Sequence, residues 1–61
     1  MDYVTKTILR AQALLNMLSE LGVRPDLQTR LNLVFRNARE TEHLDVSALE
    51  SLLIEAEAEV Q

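Results

Sequence analysis

The sequence has no cysteine, no tryptophan, one glycine, one proline and only two aromatic residues, Tyr3 and Phe35. Without cysteine there is neither a disulfide nor a thiolate metal site, and the redox compartment is left open. A lone Gly22 and a lone Pro25 exclude a flexible linker and leave too few turn residues for hairpin-rich β structure. With two aromatics, the core must be aliphatic, drawn from the Leu, Ile, Val, Met and Ala that dominate the 48% of hydrophobic residues. No apolar run approaches the ~18 residues of a membrane span. The N-terminal residues 1–10 lack the basic and apolar regions of a secretory signal. The expectation is a cytoplasmic protein with no membrane association.

Sixty-one residues allow one domain. A chain this short buries only ~60% of its unfolded surface, so its stability is marginal without reinforcement. Disulfides are excluded, and the single His43 cannot hold a structural metal alone. Self-association is the remaining reinforcement, and a homodimer is expected.

Charge is divided along the chain. Lys6, Arg10, Arg24, Arg30, Arg36 and Arg39 all lie in the first 39 residues, against Asp2, Glu20 and Asp26. The last 22 residues carry Glu40, Glu42, Asp45, Glu50, Glu55, Glu57 and Glu59 with no cation. Such a split can orient a partner or a second copy, but it names no chemistry.

Apolar residues recur at helical spacing throughout. Val4, Ile8, Ala11, Leu15 and Leu18 form one stripe, widened by Leu14, Met17 and Leu21, which predicts a first helix over about residues 2–21. Gly22 suits the left-handed position that ends a helix, with Val23 folding back as in a Schellman stop. Pro25 suits the first position of a second helix, and Asp26 its positive end. That helix runs over about residues 25–41, on the stripe Leu27, Leu31, Val34 and Ala38 with Phe35 beside it. The short connection makes the two an antiparallel hairpin. Asp45 can cap a third helix over about residues 45–58, with Leu44 and Leu49 as a hydrophobic staple and Ser47 as an alternative cap. Its apolar stripe is Val46, Leu49, Leu53, Ala56 and Val60, with Glu50, Glu55, Glu57 and Glu59 expected on the outer face. Acidic residues oppose the negative end of a helix, so residues 57–61 are expected to fray. The fold class is all-α: an antiparallel helical hairpin plus a third amphipathic acidic helix, a small bundle completed by dimerisation.

Three constellations suggest chemistry. Glu40 and His43 have the Glu-x-x-His spacing of di-metal bundles. His43, however, lies nine residues from core position Val34, about 180° around the helix, so no metal or other cofactor is expected. Arg30, Arg36 and Arg39, with Asn32 and Asn37, could pass for a nucleic-acid-reading helix. A formal net charge of −4 disfavours that partner, because phosphate contacts dominate such affinity. No nucleophile set, phosphate loop or cofactor motif is present, so an enzyme is not expected.

The stronger signal is a surplus of apolar residues outside the stripes, including Leu33, Leu44, Leu52 and Ile54. Leu52-Leu53-Ile54 alone covers over half the circumference of its helix. Exposed apolar area of that kind marks an interface. In size, helix count and leucine spacing, including Leu18-Ser19-Glu20-Leu21-Gly22 and Leu49-Glu50-Ser51-Leu52-Leu53, the chain resembles the dimeric helical-hairpin regulators of plasmid copy number. It resembles more loosely the small helical regulators that link signalling to biofilm genes in enteric bacteria. The likeness carries over no functional residue. The expected function is a small non-enzymatic regulatory or adaptor protein of a bacterium, phage or plasmid, binding itself or another protein through Leu33, Leu44, Leu52, Ile54, Glu50 and Glu55. The alternative is a dimeric nucleic-acid binder using Arg30, Arg36 and Arg39.

Overall fold

A computed structural model describes residues 2–61. The described residues form three helices: α1 (Tyr3–Leu21), α2 (Pro25–Thr41) and α3 (Val46–Val60). Each helix packs on both others, so the fold is an all-α three-helix bundle. Its radius of gyration is 11.0 Å, close to the ~10.5 Å of a compact domain of this length.

Local chemistry places the helix ends. Asp2 caps α1 by accepting from the Thr5 N–H at 2.7 Å. At its other end Gly22 is left-handed, with φ 68°. The Gly22 and Val23 N–H groups donate to the Ser19 and Leu18 carbonyls, the paired bonds of a Schellman stop. Pro25 occupies the first turn of α2, where its missing N–H costs no hydrogen bond. Gln28 secures the corner by donating to the Leu18 and Val23 carbonyls at 3.3 and 3.0 Å. Asp45, rather than Ser47, caps α3, accepting from the Ala48 N–H at 3.0 Å.

Leu14, Leu18, Leu27, Leu31, Leu49 and Leu53, with Ala11 and Ala56, make the core. Full burial of each leucine contributes ~1.5–3 kcal/mol. Helix α1 is turned relative to the expected stripe. Thr7, Ala11, Leu14 and Leu18 face inward, while Ile8 and Leu15 are half-buried and Val4 is exposed. A polar residue is tolerated there because the Thr7 hydroxyl donates to the Tyr3 carbonyl at 2.8 Å, leaving its methyl for the core.

Two further expectations are corrected. Helix α3 does not fray from residue 57 but continues to Val60. Glu57 meets Arg10 of α1 at 2.7 Å, and Glu59 meets Arg24 at 3.3 Å, which offsets the unfavourable acidic end. The outer face of α3 keeps only two of its glutamates: Glu55 and Glu59 are exposed together with Ser47, Ser51, Ile54 and Ala58, whereas Glu50 and Glu57 are half-buried on the flank toward α1. The divided charges of the sequence therefore meet within one chain.

Candidate functional site

Helices α2 and α3 run antiparallel and leave a groove of about 510 Å³ between their solvent edges. Its walls are Leu33 and Val34 from α2 and Ala48, Ser51 and Leu52 from α3, with Arg30 and Glu55 contributing one charge from each helix. The small side chains of Ala48 and Ser51 open the groove; a larger residue at either position would fill it. Leu33 is 43% exposed, and Leu52 is half-buried against the core. Neither Arg30 nor Glu55 belongs to an ion pair among the described residues.

The six partner-binding candidates divide among three places. Leu33, Leu52 and Glu55 line the α2/α3 groove. Ile54, 72% exposed, lies on the other side of α3 with Tyr3, Lys6, Arg10, Glu50 and Glu57, around a smaller depression of about 330 Å³. There the Tyr3 hydroxyl donates to the Glu50 carboxylate. That bond, and then the carboxylate charge, hold the Tyr3 phenol above its usual pKa. Leu44 lies apart from both, half-buried with Ile8, Phe35 and Ala38 at the α1/α2 edge.

The three arginine candidates do not share one face. Arg36 and Arg39 line a shallow depression with Thr29, Asn32 and Leu33. Arg30 lies in the α2/α3 groove, nine residues from Arg39 and so about 180° around the helix. Among the described residues no three His, Cys, Asp or Glu side chains gather where a metal could be held, and Glu40 and His43 are both exposed. No helix among the described residues is long and apolar enough to cross a membrane.

Sequence reasoning did not identify Ala48 and Ser51 as groove residues, and it placed Arg30 with the other arginines. The available signal was the i, i+3 pair of small residues beside Leu52 on α3. Comparison of the chain with protein-family models, curated proteins and solved structures found no match.

Proposed function

We propose that the protein is a small non-enzymatic regulatory or adaptor module that works by helix-mediated protein–protein contact, with the α2/α3 groove as its contact surface. The observation that carries this reading is the groove itself. It joins Leu33, Val34, Ala48 and Leu52 into one apolar trough between two parallel ridges, the shape that receives the apolar face of a third helix. Leu33 is 43% exposed, so covering it contributes about 1 kcal/mol, under half the value for burying a fully exposed leucine. The charges at its rims would set orientation and association rate more than affinity.

Nucleic-acid binding is the second reading, and its support is Arg36 and Arg39 side by side with Asn32. Two arginines on a chain of net charge −4 give it a weak electrostatic basis.

The test compares Leu33→Asp with Ile54→Asp, both at exposed positions outside the core. Association read by sedimentation should be lost in Leu33→Asp and kept in Ile54→Asp. Association unchanged in Leu33→Asp would remove the groove from the interface. Retardation of DNA or RNA that weakens steeply with salt would favour the second reading instead.

A further inference from the structure

Resting on the reading of the α2/α3 groove as the contact surface, we infer that its occupant is a second copy of this chain. The two copies are related by a two-fold axis parallel to the helices, so that α2 of each lies antiparallel against α3 of the other. The four helices α2 and α3 of both copies form a central four-helix bundle, and the two α1 helices lie outside it.

The arrangement follows from charge and register. The groove carries one cation from α2 and one anion from α3, and neither belongs to an ion pair among the described residues. The Arg24–Glu59 pair fixes how far α2 and α3 are offset along their common direction. Counted from that pair, Arg30 is six residues down α2 and Glu55 four residues down α3. Leu33 is nine residues down and Leu52 seven. Each offset is two residues, ~3 Å along the helix, which a side chain spans. A two-fold parallel to the helices therefore sets Arg30 opposite Glu55 of the second copy, and Leu33 opposite its Leu52. Symmetry makes each contact twice. A two-fold perpendicular to the helices would instead face Arg30 with Arg30 and Glu55 with Glu55.

Other surfaces suit a copy less well. Around Ile54 the charges are already matched within the chain, Arg10 with Glu57 and Tyr3 with Glu50, which leaves little to orient a second copy. The area required is also within reach. A stable interface takes ~800 Å² from each partner, about a fifth of the 4251 Å² this chain exposes.

The test uses the full chain and the two charge reversals Arg30→Glu and Glu55→Arg, each checked for helical content by circular dichroism. Wild type should sediment at twice its 6.9 kDa mass. Each variant alone meets two like-charge pairs, so its dimer should weaken about tenfold or more. An equimolar mixture of the two variants restores an opposite-charge pair at both contacts, and the mixed dimer should return to wild-type affinity. A monomeric wild type, reversals without effect, or a mixture no tighter than either variant would each overturn the inference. If wild type is monomeric but binds a leucine-rich amphipathic helical peptide, and Leu33→Asp abolishes that binding, the second copy is wrong and the groove reading survives. If Leu33→Asp changes neither association, both fail.

Discussion

Arg24 Nη1 lies 3.3 Å from Glu59 Oε2, joining the residue that precedes α2 to the last turn of α3 across 35 positions of sequence. The same guanidinium donates to both carboxylate oxygens of Asp26, at 3.0 and 2.8 Å. One cation thus ties the start of α2 to the end of α3 while its own backbone is left-handed, with φ 50°. Arg24→Ala removes the ion pairs and keeps the backbone cost, whereas Arg24→Gly removes both. The Ala variant should melt below the Gly variant in thermal circular dichroism. The reverse order would mean that the left-handed conformation carries no strain.

The Arg24–Asp26 pair also sets an acid limit. The hydrogen bonds from Arg24 hold the Asp26 carboxyl at about 2, against an ordinary 3.8. Asp2 is lowered too, chiefly by the Thr5 N–H. Carboxyls lowered in the folded state stabilise it above their unfolded pKa, and that contribution is lost as pH falls through the folded value. Melting temperature should therefore decline from about pH 4 toward pH 2. Asp26→Asn should flatten part of that decline. An identical slope in the variant would rule Asp26 out as its source.

Gly22 and Glu42 make opposite predictions from the same backbone conformation. Both end a helix with positive φ, 68° and 58°. A Cβ at Gly22 would meet nothing within 4 Å, so Gly22→Ala tests conformation alone and should destabilise by about 1 kcal/mol. Glu42→Gly should stabilise by about 0.5–1 kcal/mol, since it relieves the same cost. Urea midpoints measure both, and a stabilising Gly22→Ala would contradict the argument.

The core allows little loss. Leu31 is fully buried in the middle of α2, and Leu31→Ala should cost about 2–5 kcal/mol. That is comparable to the whole stability of a domain this size, so the variant should be largely unfolded at room temperature. A cooperative melt close to that of wild type would mean the site collapses around the loss.

Helix ends were legible in the sequence because neighbouring residues decide them: Gly22 and Val23 stop α1, Pro25 starts α2 and Asp45 starts α3. What needed the third dimension was rotation about each axis. Val4 and Ile8 look like better core residues than Thr7 until Thr7 satisfies its hydroxyl on its own helix. The acidic end of α3 looks unstable until Arg10 and Arg24 approach it from elsewhere in the chain. The candidate site divides the same way. Leu33, Leu52 and Glu55 come together in one groove, while Ile54 turns to the opposite side of α3 because two residues rotate a helix by about 200°.

The groove is tested most directly by amide chemical shifts of the 61-residue chain followed as its concentration is raised. Concentration-dependent shifts should appear at Arg30, Leu33, Ala48, Ser51, Leu52 and Glu55, with Tyr3, Lys6 and Ile54 unmoved. Shifts centred on Tyr3 and Ile54, or none at millimolar concentration, would contradict it.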